Sequence, residues 1–239
     1  MKNMQKEMKK ENDIVRPEMS IEQWVRWAYR DIAMAYKYND KYIAVVYRNI
    51  DDLYDPREDE NLWKFVFFHR EYKLGDYQWM EKNDLFNIDD FNKYYEEHKD
   101  EILMKLNVYA YEHGGLPIIS LDNSHYPFND RWDAYMIGYA ILLKQDLMKF
   151  FDDKELFLNL LSGDIHIKQK VKEILKQEIK TYNEWLSGNT YCFDIYDKKT
   201  LEHLDGCGGF YGNFYEAIKE MKELVDEDFK ELFDDMETF

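Results

Sequence analysis

DGCGGFYGNFYEAIKEM, residues 205–221, sets four glycines within seven positions and then runs into the periodicity of a helix. Its reading decides the fold class. Glycines that cradle phosphate would make this a nucleotide-binding α/β protein, whereas glycines that only shape the backbone imply no such fold. A Walker loop needs G-x-x-x-x-G-K followed by Ser or Thr, with the lysine on phosphate and the hydroxyl on magnesium. Here Gly212 is followed by Asn213 and Phe214. A dinucleotide fingerprint needs G-x-G-x-x-G, and counted from Gly206 and Gly208 the third glycine falls on Tyr211. Both nucleotide readings fail, and anion binding at the helix start is the weaker alternative. The stretch is expected to be a turn that leaves a strand, passes Phe210 and Tyr211 and enters the last helix, because glycine takes backbone angles closed to other residues. Asn213, with Glu216 three residues later, supplies the helix cap.

Working back from that turn, YCFDIYD (191–197) reads as a strand. A helix over 167–186 turns Val171, Ile174, Leu175, Ile179, Tyr182, Trp185 and Leu186 inward and stops at Gly188, the expected C-terminal glycine. YMIGYAILL (135–143), NVYAYEHGG (107–115) and LPIISL (116–121) read as strands, the last two separated by a Gly-Gly turn. A helix capped by Asp89 or Asp90 is expected to reach Leu106. Strands are expected at 42–48 and 62–70, rich in Val, Tyr and Phe. Ser20 and Gln23 form a capping box for a helix running to Tyr38, with Ile21, Trp24, Val25, Ala28, Ile32, Ala35 and Tyr36 on one face and Trp27, Met34 and Tyr38 on a second stripe. Strands and helices mix without regular β-α-β alternation, so the fold class is α+β, with a largely antiparallel sheet packed with several helices. The chain divides into a charged tail (1–19), an N-terminal α+β portion (20–105) and an α+β core (106–239) ending in an acidic helix, the last two compatible with one continuous domain.

At 239 residues the chain can bury a core without staples. Aromatic residues make up 17% of it, with 20 Tyr and 15 Phe, which points to an aromatic-rich core and an aromatic contact surface. Cys192 and Cys207 show no metal or disulfide spacing and suit a reducing compartment. No stretch has the apolar length of a membrane span, and the charged start has no apolar run behind it, so a cytoplasmic protein is expected. The charge carries most information: 49 acidic against 32 basic residues, a net charge of -17. Such a field repels DNA and RNA unless a basic patch overcomes it. The only basic cluster, at residues 2–10, is interleaved with Glu. Direct nucleic-acid binding is disfavoured, and a basic partner is favoured.

Four blocks in order, VYAYEHGG (108–115), PFNDRWDAYMIG (127–138), EIKTYNEWLSGNTYCF (178–193) and D-x-C-x-G-F-Y-G (205–212), carry a resemblance. Together they are similar to a family of small proteins carried by bacteriophages and plasmids, with Y-x-Y-E-H-x-G, P-F-x-x-x-W-D, E-x-x-T-Y-x-x-Y/W-L-x-G-x-x-Y and C-W-G-F-Y-G blocks. The match covers about residues 107–215. Gly208 stands where the family has tryptophan, Gly114 where it has a small hydroxyl residue, and residues 1–105 have no counterpart. The resemblance implies a mobile-element accessory protein and brings no reaction or catalytic residue with it.

Two constellations are candidates for function. Glu112, His113, Asp130 and Asp133, with His125 near in sequence, offer carboxylates and imidazole for acid-base or metal-assisted hydrolysis. No spacing among them is diagnostic, and the alternative is that Trp132 anchors a loop while the aspartates cap turns. His203 and Cys207 are too few for a zinc site. Along the last helix, Glu216, Glu220, Glu223, Glu227, Glu231 and Asp234 follow at three- and four-residue steps, opposite an inner face of Phe214, Ile218, Met221, Val225, Leu232 and Met236. Either the ridge is a solvated face offset by pairs such as Asp226 with Lys230, or it copies nucleic-acid phosphates. One helix places a charge per about 5.4 Å turn, against about 1.7 Å of axis per charge in duplex DNA. Mimicry therefore needs a second acidic surface, and Asp51, Asp52, Asp55, Glu58, Asp59 and Glu60 are its candidate, in a run that reads as a solvated loop. The leading expectation is a protein that binds and inhibits a host protein with a basic nucleic-acid-binding surface, such as a defence complex, in the manner of an anti-CRISPR. A metal-assisted hydrolase and an assembly protein of the element are the alternatives. No cofactor, no metal and no membrane enter the leading reading.

Overall fold

The computed structural model describes residues 19–49, 55–121, 132–151, 158, 162 and 164–238. In chain order the elements are α1 (Ile21–Tyr29), β1 (Ala33–Tyr38), β2 (Tyr42–Arg48), β3 (Lys64–Phe67), α2 (Tyr77–Lys82), α3 (Ile88–Glu97), β4 (Ile102–Tyr111), β5 (Ile118–Leu121), β6 (Ala134–Leu143), α4 (Lys144–Phe151), α5 (Ile165–Leu186), β7 (Thr190–Asp197), β8 (His203–Tyr211) and α6 (Phe214–Leu224). Three 3₁₀ segments, Arg30–Ile32, Pro56–Glu58 and Glu227–Phe233, complete the order. The class is α+β with antiparallel pairing throughout, in two four-stranded sheets. Each sheet belongs to its own compact unit, Met1–Ile50 with Thr190–Phe239, and Asp51–Asn189. The boundary expected near residue 105 falls inside β4, which pairs with β6 from Ile102 to Tyr111 and offers no break there.

The first unit holds the sheet β1-β2-β7-β8. In β2 four consecutive residues, Ile43, Ala44, Val45 and Val46, are fully buried. Successive side chains of a strand point to opposite faces, so both faces of this sheet are covered. Ile43 and Val45 pack with Trp24, Val25 and Tyr29 of α1, while Ala44 and Val46 pack with Phe214, Ile218 and Met221 of α6 and with Leu232 and Phe233. The capping box at Ser20 and Gln23 is present, with bonds of 2.9 and 3.2 Å. The helix expected to continue to Tyr38 ends at Tyr29. Arg30 takes φ 48°, and AMAYKY becomes β1, paired with β2. Pairing across the sheet outweighs a weak helical stripe whose residues also fit strand alternation.

The glycine-rich stretch is also corrected. Gly206, Gly208 and Gly209 lie in β8, in register with β7 at Asp194↔Gly206 and Phe193↔Cys207, and only Gly212 with Asn213 makes the expected turn into α6. Gly209 and Gly212 have φ of 85° and 117°, where glycine is favoured. Gly206 serves a different end: a Cβ there would lie 2.4 Å from Asp194 Oδ1 and 2.9 Å from His203 Nε2. The Asn213 cap is as expected, its Oδ1 accepting from Glu216 N–H at 3.0 Å.

The second unit holds the sheet β3-β6-β4-β5. Phe65, Phe67, Val108, Ala110 and Ile119 pack against Val171, Leu175, Ile179 and Tyr182 of α5. Val66 and Ile141 pack on a second cluster with Met80, Leu85 and Phe91. Gly188 has φ 72° just beyond α5, as its C-terminal position demands. α3 starts two or three residues earlier than expected, because Asn87 Oδ1 accepts from Asp89 and Asp90 N–H, and it ends at Glu97, leaving Ile102 onward free to pair as β4. Among the described residues no helix is long and apolar enough to cross a membrane.

Candidate functional site

In the first unit, every carboxylate of residues 216–237 is exposed. The continuous ridge drawn on one long helix is corrected, since α6 stops at Leu224 and Val225 is extended (φ -77°, ψ 156°). Glu216, Glu220 and Glu223 keep helical spacing. Beyond the break, the three-residue period of a 3₁₀ helix groups Asp228, Glu231 and Asp234 and turns Glu227 aside. All six residues of the expected inner face are buried despite the break. Local cations neutralise part of the surface: Lys222 pairs with Asp234, holding its carboxyl below the usual range, and Lys230 pairs with Glu227 at 2.5 Å rather than with Asp226. Glu231 accepts from the Asn39 amide. Glu216, Glu220 and Glu223 form no ion pair among the described residues.

The second acidic candidate, in the other unit, is only partly a surface. Asp51 and Asp52 lie outside the described residues. Glu58, Asp59 and Glu60 are exposed, and Glu60 pairs with Lys149 at 2.7 Å. The run is not a simple solvated loop, because its one arginine is buried. The Arg57 guanidinium donates to Asp76 Oδ2 (3.1 and 2.8 Å), Glu178 Oε2 (3.0 Å), Asn61 Oδ1 (3.0 Å) and the Trp63 carbonyl, and lies 3.8 Å from the Phe65 ring centre. Asp55 faces inward with it, accepting from Arg57 N–H at 2.8 Å, and burial raises its pKa. Asp55 therefore belongs to the fold rather than to a contact surface.

The second unit also carries the candidate acid-base group, which the structure divides in two. Glu112 Oε2 accepts from Tyr135 hydroxyl at 2.9 Å and lies 3.2 Å from His69 Nε2. His69 Nδ1 accepts from the backbone N–H of Glu71 (3.1 Å) and Tyr72 (3.0 Å). Nδ1 is therefore the unprotonated nitrogen, and Nε2 donates to Glu112. These bonds, His69 first, hold the Glu112 carboxyl below its usual range, while burial and Glu112 push Tyr135 upward. His113 instead donates from Nδ1 to Asp133 Oδ2 at 2.6 Å, with the imidazole three-quarters exposed. Glu112 N–H donates to the Asp133 carbonyl at 2.8 Å, which fixes the two strand ends together. Asp130 and His125 lie outside the described residues, among which no three His, Cys, Asp or Glu side chains are placed to hold a metal. A cavity of about 240 Å³ opens beside His69, between Phe67, Tyr72, Tyr77 and Phe86.

One polar cluster escapes a reading by sequence. In the first unit Asp194 accepts from Tyr29 hydroxyl (2.7 Å) and from His203 Nε2 (3.0 Å), with Tyr196 hydroxyl 2.6 Å from that of Tyr29. Tyr47 bonds to the same carboxylate. Burial first, then Asp194, pushes Tyr29 well above its usual range. His203 thus partners Asp194 and not Cys207, whose position pairs with Phe193 instead. The only sequence signal is a carboxylate, Asp194, set between the apolar Phe193 and Ile195 in the strand YCFDIYD. Comparisons with protein-family models, with curated proteins and with solved structures give no match.

Proposed function

We propose that the chain is an accessory protein of a phage or other mobile element that binds, in the host cytoplasm, a basic nucleic-acid-binding surface of a host defence complex and blocks it. The observation that carries this reading is the unbroken exposure of the carboxylates over residues 216–237, with Glu216, Glu220 and Glu223 aligned on α6. The net charge of -17 and the four sequence blocks support it. Carboxylates on a rigid helix are attracted to a groove built for phosphates, and long-range attraction speeds encounter in a salt-dependent way. Inhibition is steric and electrostatic and uses no chemistry.

Affinity capture of the tagged chain from nuclease-treated host lysate, at low and at moderate salt, tests this. A stoichiometric nucleic-acid-binding partner that dissociates as salt rises, and is lost when Glu220, Glu223 and Glu227 are reversed to Lys, is the expected result. Unchanged capture by the reversed chain at about 150 mM salt would remove this surface from the account.

A second reading, hydrolysis, is favoured by one contact. The 2.6 Å bond from His113 to Asp133 fixes the imidazole as a carboxylate orients a general base. A hydrolytic activity lost in both His113→Ala and Asp133→Asn, with host partners uncaptured, would replace the first reading.

A further inference from the structure

The second unit interrupts the first between β2 and β7, which are antiparallel neighbours. Their pairing continues to the point of interruption: Arg48 is in register with Tyr191, and Asn49 N–H donates to the Thr190 carbonyl at 2.8 Å. Antiparallel neighbours of this kind need only a two-residue hairpin to join them. Residues 51–189 therefore stand where a tight turn would suffice. The hydrophobic clusters of the first unit are built from residues 21–47 and 191–236, and cover both faces of its sheet. Those of the second are built from residues 62–186 and likewise cover both faces of their own sheet. A unit that buries its own sheet on both sides has the core an independent folding unit requires.

We infer that the first unit is a self-sufficient binding module, composed of the two ends of the chain, and that residues 51–189 are a second module inserted at its β2–β7 hairpin. Binding at the acidic surface then does not depend on the fold of the second module. The Glu112 and His113 pairs, in the insertion, are free to serve a separate purpose. The partner's basic character rests on the function proposed above, whereas the modular claim rests on the cores alone.

The test uses the full chain and Arg57→Ala, which strips the second module of its buried guanidinium. Amide hydrogen exchange is followed across a urea series, at Phe193, Ile195 and Met221 in one module and at Phe65, Ile141 and Leu175 in the other. A short oligolysine peptide is titrated in parallel as the probe. The expected result is that the second-module amides lose protection at lower urea, while the first-module amides keep their wild-type midpoint. Oligolysine affinity should stay within about twofold where only the second module has unfolded. The reciprocal variant, Met221→Ala, must move only the first-module amides. Loss of protection in both modules together, or loss of oligolysine binding on unfolding of the second module alone, overturns the inference. If the wild type and the chain with Glu220, Glu223 and Glu227 reversed bind oligolysine equally, the proposed binding surface fails, and the exchange data still decide the modular claim.

Discussion

Arg57 and Asp76 meet at 2.8 Å with both side chains almost wholly withdrawn from water. A guanidinium so placed has to find partners for its donors, and here two carboxylates, a carbonyl and an amide supply them. Asp76 in turn accepts from Phe65 N–H at 2.6 Å and Glu178 from Leu62 N–H at 2.8 Å, so the network pins the start of β3 to α5. Burial raises the Glu178 pKa even against the pull of Arg57. Removing one member of a buried pair leaves the other charge uncompensated, at about 3–5 kcal/mol. Arg57→Ala is expected to lower the stability of the second unit by that amount in urea unfolding. Arg57→Lys should recover little, because an ammonium cannot reproduce the planar fork. A loss below about 1 kcal/mol in Arg57→Ala would show that water satisfies the carboxylates.

Gly206 sits across the β7–β8 ladder from Asp194, and the space its missing side chain leaves is filled by the Asp194–His203 pair. The Phe193 carbonyl, 3.0 Å from an added Cβ, limits any backbone escape. Gly206→Ala should therefore cost about 1–3 kcal/mol, the usual range for overpacking. It should also separate His203 from Asp194, which a histidine NMR titration would register. A stable variant with an unchanged His203 titration would mean that β8 moves aside at little cost.

What the sequence disclosed follows the range of the interactions concerned. The strands at 42–48 and 118–121, the long helix ending before Gly188 and the Asn213 cap are set by neighbours in sequence, and each lies close to where periodicity or capping chemistry puts it. Residues 33–38 were opaque because their partner, β2, decides them: Ala35 and Tyr36 fit a helical face and a strand equally until Val46 and Val45 are opposite them. The glycine run invited a turn because glycine is rare in strands, and nothing local reveals that Gly206 makes room for a carboxylate. Of the candidate sites, the carboxylates of 216–237 were visible as charge, while their division at Val225 was not. Glu112 and His113 were visible as a dipeptide, yet their separate partners are far off in sequence, His69 just after β3, and Tyr135 and Asp133 at the start of β6.

The Asp194 cluster makes a pH prediction with a definite sign. The bond to Asp194 raises the His203 pKa above its usual 6.5, against partial desolvation, with Asp205 adding to the rise. A group whose pKa is raised on folding contributes stability that is fully present below about 6.5 and is lost as pH climbs through its folded value. The first unit should lose a little stability over that window, modestly because the imidazole is two-fifths exposed. Asp194→Asn should bring the His203 titration midpoint back toward 6.5, and His203→Gln should abolish the slope. A wild-type midpoint at or below 6.5 would contradict the pairing.

The two thiols report on the same sheet from opposite extremes of exposure. Cys192 is buried on the inner strand β7, and burial pushes its pKa up to about 12. Cys207 is exposed on β8. Since the thiolate is the reacting species, burial and its raised pKa both hold Cys192 back, while Cys207 is open to reagent. A chromogenic disulfide reagent should label one thiol per native chain quickly and the second only after unfolding. Cys207→Ser should remove the fast phase entirely. The slow phase reports the opening of β7, which lies between β2 and β8 and closes only if both neighbours pair. Its rate should therefore rise in Gly206→Ala and stay unchanged in Arg57→Ala if the two units open independently. Fast labelling of Cys192 in the native chain would mean that β8 detaches readily from β7, and the Asp194–His203 bond would then hold nothing in place.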